Sequence, residues 1–273
     1  MRGVVAGALL VVVFVAAGCG GSLLSGYASN ANMALPAAIP GSHVSVGPTG
    51  DDGPTITIVN GTPKVGSSGR PGALPGARAV AKLFKGVPQK GLVLGRSNAP
   101  VMLIEYVDLQ CPICQEFATT ELAPLVRKYV RPGKLKIEMQ PWNIIDANAG
   151  GDDSLRGQKA TIGAAAQNKA FNFAQVLYDN QGEEGAGWLN DAMISNIAAS
   201  VNRLRPYKLA KAANGRATRR VINSITHWAK THSSQMTGTP TLYLVRGSGR
   251  PKYYGTGLPS LAKLEAAIDA LLR

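Results

Sequence analysis

The chain has 273 residues, enough for one sizeable domain or two small ones, and 45% of them are hydrophobic, so a core can form. Its net charge of +13 favours acidic partners such as anionic lipid, a cell-wall polymer or nucleic acid. The sequence contains no zinc-finger or RNA-recognition signature, which argues against the familiar nucleic-acid-binding classes, so we expect a generic basic surface and no nucleic-acid partner.

The first residues predict export. Met1 and Arg2 precede the apolar run GVVAGALLVVVFVAAG, a pattern typical of a secretory signal. The run leads into AAGC, residues 16–19, which is similar to a bacterial lipobox and would make Cys19 the lipidated N-terminus. The alternative is an uncleaved anchor, since the apolar stretch is near the lower length limit for a span. Both alternatives predict an extracytoplasmic protein, held at the cell membrane or secreted, in a compartment where thiols can stay oxidised.

The next stretch, residues 20–76, is rich in Gly, Ser, Pro, Ala and Thr, which favours a flexible linker. Within it, TITIV (55–59) alternates like a strand, but it is short and isolated. Ordered structure is expected from residue 77. The elements predicted next, in chain order, are a helix over 77–87, strands over 91–95 and 99–109, a helix over 111–130 with a kink at Pro124, and a strand over 135–140.

The remaining pattern is helical and then returns to strands. Helices are predicted over 158–182, 188–202, 207–214 and 217–232, strands over 239–247 and 252–256, and a last helix over 260–273 with Ser260 as its cap. A β-α-β unit and a β-β-α unit therefore flank a helical insertion. This order matches an α/β protein with a thioredoxin fold, residues 77–145 and 233–273, that carries an inserted α-helical domain, residues 146–232.

A close thiol pair points to the chemistry. The chain has three cysteines, and Cys111 and Cys114 have the spacing C-x-x-C at the predicted start of a helix. The free N–H groups and the dipole at a helix start stabilise a thiolate, so Cys111 is the predicted nucleophile and Cys114, one turn inside, the resolving thiol. Pro112 suits the helix start, where its missing N–H costs nothing.

Two other uses of the thiol pair have to be weighed. His227 and His232 would complete a zinc-ligand set, but more than a hundred residues separate them from the cysteines, whereas a zinc finger separates its halves by about a dozen. A purely structural disulfide would close a tiny loop and so contribute little to stability. We therefore favour a redox pair and expect neither a metal nor a cofactor.

Two further residues fit a redox site. Glu105 interrupts the apolar strand six residues before Cys111, and a carboxylate buried in a sheet should have a raised pKa and could exchange a proton with the resolving cysteine. The alternative is that Glu105 faces solvent at a strand edge. Pro240, in MTGTPT, opens a strand, but the sequence alone does not predict whether its peptide bond is cis.

The segments EYVDLQCPICQEF and TGTPT resemble the DsbA-like branch of the thioredoxin superfamily, especially the BdbD-like proteins of Gram-positive bacteria and actinobacteria. The resemblance runs from about Leu83 to Arg273. It implies that Glu105 is the buried acid and Pro240 a cis-proline that also keeps metal away from the thiols. It further implies that Thr239 presents backbone groups to substrate beside the middle pair Pro112 and Ile113.

The resemblance implies an exported disulfide oxidase. Its substrates would be reduced exported proteins, and a membrane quinone-linked protein would reoxidise it. In the middle pair, however, Ile113 replaces the histidine of the enteric oxidases and cannot donate a hydrogen bond to the thiolate, so the pKa of Cys111 should be lowered less. A disulfide reductase or isomerase, for example in cytochrome maturation, and a non-catalytic binding lipoprotein on a thioredoxin scaffold stay open as alternatives.

Overall fold

The computed structural model describes residues 53–59 and 73–273. The predicted signal segment, Cys19 and most of the predicted linker lie outside these described residues. Within the described ranges, no helix combines the length and the apolar character needed to cross a membrane.

Within residues 73–273, six strands form one mixed sheet in the order β1-β2-β4-β3-β5-β6. The strands are β1 Gln89–Lys90, β2 Val93–Leu94, β3 Val101–Val107, β4 Leu135–Pro141, β5 Thr241–Arg246 and β6 Lys252–Thr256. The central strands β3 and β4 are parallel, and the other neighbouring pairs are antiparallel. Both central strands are buried along their whole length, which the apolar run before the thiol pair predicts for β3.

The helices before the insertion are α1 Ala77–Leu83 and α2, which spans residues 112–130. Those of the insertion are α3 Asp146–Ala149, α4 Asp153–Ala165, α5 Ala170–Tyr178, α6 Asp191–Ser200, α7 Pro206–Ala213 and α8 Arg216–Thr231. The last is α9 Leu261–Leu272, whose N-cap residue is Ser260, although the serine side chain makes no capping hydrogen bond. The order confirms the thioredoxin fold, with the helical insertion between β4 and β5.

The register of the sheet decides which residues face the thiol pair. Glu105 pairs with Met139 of β4, whereas the preceding residue of β3, Ile104, pairs with Glu138. Because successive side chains of a strand point to opposite faces, Glu105 and Glu138 lie on opposite faces of the sheet. Helices α2 and α5 pack on the face of the sheet that carries the Glu105 side chain. The buried acid and the thiol-bearing helix therefore meet on the same side of the sheet.

Helix α2 is not a regular α-helix. Two α-helical stretches, Pro112–Glu116 and Leu122–Leu125, alternate with two π-helical ones, Phe117–Glu121 and Val126–Val130. The kink expected at Pro124 stays a prediction, and the helix has a π turn on either side of this residue. Proline has no N–H to donate within a helix, and a π turn is one way for a helix to absorb the missing bond.

The single helix predicted over 158–182 is wrong, because the chain breaks between α4 and α5. Asn168 lies in this break with a φ of 57°, a left-handed conformation that asparagine tolerates better than most residues. Its Oδ1 accepts a hydrogen bond of 2.9 Å from the Gly91 N–H, in the turn between β1 and β2. A contact distant in sequence therefore decides where the first helix ends.

Two stretches within the predicted flexible linker are packed on the insertion. The side chain of Ile56 is 2% exposed, and its backbone exchanges two hydrogen bonds with the amide of Asn214, of 2.9 and 2.8 Å. The N–H of Leu74 donates to Ser200 Oγ at 2.9 Å. These stretches differ from the prediction because side chains of the insertion supply the hydrogen-bond partners that a lone strand lacks.

Candidate redox-active site

The thiol pair lies where β3 gives way to α2. Cys111 is the N-cap residue of α2 and has extended backbone angles, and Pro112 occupies the first helical position. Cys111 is 5% exposed and Cys114 1% exposed, and both are free thiols. The pair therefore lies at the helix start as predicted, with Cys111 the more accessible of two largely buried sulfurs.

The two thiols have opposite proton affinities. The N–H of Cys114 donates to Cys111 Sγ at 3.4 Å. A hydrogen bond from the Cys114 thiol, helped by the N–H groups of Cys114 and Ile113 and opposed by burial, lowers the pKa of Cys111 to about 6. Burial, together with the neighbouring Cys111, raises the pKa of Cys114 well above its ordinary value. At neutral pH, Cys111 is therefore mainly a thiolate and Cys114 a thiol.

The loop before β5 closes over the pair. The peptide bond between Thr239 and Pro240 is cis, in agreement with the resemblance. When it is protonated, the Cys111 thiol donates to the Thr239 carbonyl oxygen, with 3.4 Å between the two heavy atoms. Thr241, the first residue of β5, fixes the loop by donating from its hydroxyl to the Gly238 carbonyl at 2.6 Å. The predicted nucleophile and the predicted proline loop are therefore in direct contact.

The middle pair faces outward. Pro112 is exposed, and the side chain of Ile113 is 41% exposed, one of the few large apolar side chains on the surface among the described residues. An apolar group beside a reactive sulfur suits contact with an unfolded chain, which exposes its own apolar residues.

Glu105 lies beneath Cys114 in the interior. It is 3% exposed on the central strand β3, so the alternative position at a solvent-facing edge is wrong. Burial raises the pKa of its carboxyl to about 8. Glu105, Cys114 and Tyr178 line one cavity of about 10 Å³, close to the smallest volume that holds a water molecule. Glu105 and the resolving thiol therefore border the same interior cavity.

The sequence analysis missed Tyr178, at the end of α5. Its hydroxyl donates to the Asp108 carbonyl oxygen at 3.1 Å, and its own carbonyl oxygen accepts from Gln115 Nε2 at 2.8 Å. Burial, with the charges of Cys114 and Glu105, raises its pKa well above the ordinary value, so its hydroxyl stays protonated. In the sequence it resembles any aromatic core residue of a helix, and no signal marks it.

A buried carboxylate holds the loop that precedes the nucleophile. Asp108 Oδ1 accepts from the Gln110 N–H at 3.0 Å and from the Ser154 hydroxyl at 2.7 Å. Its Oδ2 accepts from the N–H groups of Ile144 and Ile145 at 2.9 and 3.0 Å. Asp108 is fully buried, so these bonds replace its hydration. We call Asp108, Gln110, Ser154 and Asp146 the loop clamp.

Further hydrogen bonds to the loop clamp are made by Asp146 and Gly185 of the insertion. Asp146 Oδ1 accepts from Gln110 Nε2 at 2.8 Å and from the Ser154 N–H at 2.9 Å. The side-chain oxygen of Gln110 accepts from the Gly185 N–H at 2.8 Å. Gln110, the residue immediately before Cys111, is therefore held by hydrogen bonds to three segments of the insertion.

The described residues give no support to a zinc site. They contain no group of three or more His, Cys, Asp and Glu side chains that could hold a metal ion. His232 instead stacks on Trp228, with 3.4 Å between the ring centroids, at the end of α8.

Comparison with known proteins agrees with this geometry. The thioredoxin family model matches residues 88–253. The probable disulfide bond formation protein D of Bacillus anthracis is 26% identical over 112 residues, which cover 38% of this chain and 46% of that protein. Disulfide bond formation protein D of Bacillus subtilis is 22% identical over 134 residues, 46% of this chain and 54% of that protein. The chain thus spans about half the length of these curated relatives.

Solved structures extend the likeness in fold. Oxidised BdbD from Bacillus subtilis aligns with a TM-score of 0.57 at 17% identity, over 68% of this chain and 97% of that one. Wolbachia pipientis alpha-DsbA1 aligns with a TM-score of 0.55 at 18% identity, over 66% of this chain and 90% of that one. Since the family model covers more than half of the sequence, the chain belongs to the thioredoxin family, and its fold is DsbA-like.

Proposed function

We propose that this protein is an extracytoplasmic thiol–disulfide oxidoreductase, an oxidase that introduces disulfides into exported proteins. The observation that carries the proposal is the unequal thiol pair at the start of α2, with the pKa of Cys111 lowered to about 6 and that of Cys114 raised. A low thiol pKa makes Cys111 a good leaving group, which favours reduction of the enzyme and oxidation of its substrate. The names of the Bacillus relatives, disulfide bond formation protein D, support the same direction.

The reaction begins with the Cys111–Cys114 disulfide. A substrate thiolate attacks Cys111 Sγ, a bond forms between the two sulfurs, and Cys114 leaves as a thiolate that takes up a proton. A second substrate thiolate then attacks the substrate sulfur of this mixed disulfide and releases Cys111 as a thiolate. The substrate loses two electrons and gains a disulfide, and the enzyme becomes the dithiol.

The proton for Cys114 comes from the interior in this proposal. Glu105 lines the same small cavity, and its raised pKa of about 8 means that it carries a proton at neutral pH. It can therefore donate that proton to the departing Cys114 thiolate and take it back when the enzyme is reoxidised. A carboxylic acid with a pKa near the working pH is suited to both transfers.

Substrate is proposed to bind across Cys111 between the proline loop and the middle pair. The Thr239 carbonyl lies 3.4 Å from the Cys111 sulfur, where a neighbouring extended chain could form backbone hydrogen bonds. Pro112 and the 41% exposed Ile113 flank the sulfur on the other side. Backbone recognition tolerates many sequences, which suits an enzyme that acts on many exported proteins.

Repeated turnover requires an electron acceptor that reoxidises the enzyme, and it requires the enzyme to be near that acceptor. We propose that a membrane quinone-linked protein reoxidises the dithiol and that lipid on Cys19, or the uncleaved apolar segment, holds the enzyme at the membrane. The supporting feature is the charged and apolar start of the sequence, which is typical of an export signal.

One observation favours a second candidate, a disulfide reductase or isomerase. A pKa of about 6 for Cys111 is closer to the value of about 7 in thioredoxin than to the value of about 3.5 in DsbA. The side chain of Ile113, which offers no hydrogen bond to the thiolate, fits this smaller lowering of the Cys111 pKa. Equilibration with glutathione separates the two: a potential near −120 mV supports the oxidase and one near −270 mV the reductase, roughly the values of DsbA and thioredoxin.

The direct test uses a reduced, unfolded protein with several cysteines and a stoichiometric amount of the oxidised enzyme. We expect substrate disulfides to form as the enzyme is reduced, and the Cys111→Ser variant to be inactive. The Cys114→Ser variant, first converted with glutathione disulfide to a Cys111–glutathione mixed disulfide, should release glutathione to an attacking substrate thiolate and form a Cys111–substrate complex that reductant dissolves. Equal activity of the Cys111→Ser variant would leave only the non-catalytic binding protein.

A further inference from the structure

The charges of the chain are segregated along its sequence. All 16 acidic residues lie outside residues 192–264, a stretch that carries twelve lysines and arginines. The cations between residues 203 and 252 therefore have no acidic residue within ten positions along the chain. Seven of the twelve fall between residues 203 and 220, in α7, in α8 and at their ends.

The fold gathers part of this charge in a groove between α7 and α8. The groove has a volume of about 670 Å³ and is lined by Tyr207, Lys208, Lys211, Arg216 and Arg220, with small residues at its base. We call these five residues the basic groove. Its four cations are exposed, and among the residues that the structure describes, the salt bridges are those of Lys128 and Arg156. The groove thus holds four positive charges that have no salt-bridge partner within the part of the chain that the structure describes.

Packing fixes the two helices in this arrangement. Leu209 and Ala213 of α7 are fully buried, and Thr218 of α8 donates from its hydroxyl to the Ala212 carbonyl at 2.7 Å. The groove is therefore a shaped surface and not a set of independent flexible chains. Like charges held close repel one another, and a polyanionic surface relieves that repulsion.

Tyr207, at the edge of the basic groove, indicates which kind of polyanionic surface the groove would bind. Tyr207 is 75% exposed, the most exposed of the large hydrophobic side chains in the described chain. A tyrosine has an apolar ring and a polar hydroxyl, and such rings are enriched at the boundary between lipid and water. Cations beside an exposed aromatic ring are typical of surfaces that lie on anionic membranes.

The segment on the N-terminal side of the domain also contacts the insertion near the basic groove. Residues 53–59, which follow the apolar start in sequence, bond to several parts of the insertion: Pro54 to Lys159 of α4, Thr57 to Asp191 of α6, and Ile56 to Asn214 directly after α7. Of these contacts, the one at Asn214 is two residues from Arg216, so the segment passes close to the basic groove. This agreement is independent of the charge, because it depends on the backbone bonds of Ile56.

We propose that the basic groove docks the folded domain on membrane surface rich in anionic lipid, with Tyr207 at the depth of the headgroups. Docking by this surface would hold the domain in one orientation, whereas a flexible tether alone leaves it free to rotate. The proposal does not rest on the redox function, since none of the five residues touches the thiol pair.

The test places a reporter in the groove of the full-length protein. A Tyr207→Trp variant is bound to vesicles whose acyl chains carry bromine, which quenches a nearby tryptophan, and the protein with Tyr207 gives the baseline from its own three tryptophans. We expect extra quenching on vesicles that contain phosphatidylglycerol and none on vesicles of phosphatidylcholine alone. High salt should remove it, because salt screens the attraction. Equal quenching on both kinds of vesicle, or none on either, overturns the proposal.

Charge reversal supplies the matched control. In the Tyr207→Trp background, Lys208, Lys211, Arg216 and Arg220 are changed together to Glu, and we expect the vesicle affinity of the groove to fall at least about tenfold. A control with the same change in net charge reverses Arg78, Lys82, Lys85 and Lys134, which lie on α1 and in loops.

Two results would contradict the proposal at this stage. One is an equal loss of quenching in the control, which would show attraction by net charge alone. The other is tight binding of a short DNA duplex with no quenching on anionic vesicles, which would make nucleic acid the occupant. An unchanged pKa of Cys111 in both charge-reversal variants verifies that they fold.

Discussion

Cys111 and Cys114 have different pKa values, although they are only three positions apart, because one lies at the helix start and the other inside the helix. Cys111, at the N-cap, receives the N–H of Cys114, whereas Cys114 lies one turn inside, against the buried face of the sheet. Burial disfavours a thiolate and N–H donors favour it, so the balance of these two effects decides each pKa. The proposed division into nucleophile and resolving thiol follows from that balance.

The acid beneath the pair can be tested with a control of the same chemistry. Glu105 and Glu138 are both buried, both have a pKa raised to about 8 by burial, and they lie on opposite faces of the sheet. We predict that Glu105→Gln slows the release of Cys114 from the disulfide about a hundredfold, the usual size of one lost proton transfer, and that Glu138→Gln does not. Stopped-flow kinetics of enzyme reduction measures this, and an equal slowing in both variants would refute the role of Glu105.

The same two carboxyls make stability depend on pH. Folding raises the pKa of Glu105 from about 4.5 to about 8, so the folded state binds the proton more tightly than the unfolded state. The resulting stability is full below pH 4.5 and is lost as the pH rises towards 8. We predict that Glu105→Gln flattens this fall and raises the unfolding free energy at pH 8 by a few kcal/mol, measured by urea unfolding. A steeper fall with pH in the variant would contradict the assignment.

The middle pair sets the oxidising strength in this account. The side chain of Ile113 offers no donor to the Cys111 thiolate, so we predict that Ile113→His lowers the pKa of Cys111 below 6 and makes the Cys111–Cys114 couple more oxidising. Equilibration with glutathione measures the potential. Ile113→Leu keeps the apolar character and should leave the potential unchanged. An equal shift in both variants would mean that packing, and not the missing donor, controls the thiolate.

At the scale of elements, the insertion holds the active-site loop in place. Ser154, at the start of α4, donates to Asp108 at 2.7 Å and accepts from Gln110 at 2.6 Å, and it is fully buried. We predict that Ser154→Ala costs about 1–3 kcal/mol of unfolding free energy, because it leaves buried polar groups unsatisfied. The control is Ser260→Ala, since Ser260 makes no capping hydrogen bond and its loss should cost little. Equal losses in urea unfolding would contradict the clamp.

The elements also show what the sequence can predict. The apolar run of β3 and the C-x-x-C spacing suffice to place Cys111 at the start of a helix, because both signals are local. The break at Asn168 and the role of Tyr178 depend on partners far away in the chain, Gly91 and Asp108, and a single sequence does not show such pairings. The cis form of the Thr239–Pro240 peptide bond could be predicted only from the family resemblance, and not from the residues themselves.

At the scale of the whole molecule, the insertion also binds a segment from the N-terminal side. Ile56 is buried against it, whereas Val59, three residues on, is 47% exposed. We predict that Ile56→Ala lowers the unfolding free energy by about 2–5 kcal/mol, as for other large core residues, and that Val59→Ala changes it by less than about 1 kcal/mol. Urea unfolding of the full chain measures both. Equal small effects would mean that the segment is not part of the folded domain.

The central claim is that the fold makes Cys111 a thiolate at neutral pH. Its most direct test is a titration of the reduced protein that follows the ultraviolet absorbance of the thiolate, together with the rate of Cys111 alkylation at each pH. We expect one thiol with a midpoint near pH 6 that disappears in the Cys111→Ser variant. A single transition near pH 9, the range of an ordinary thiol, would contradict it.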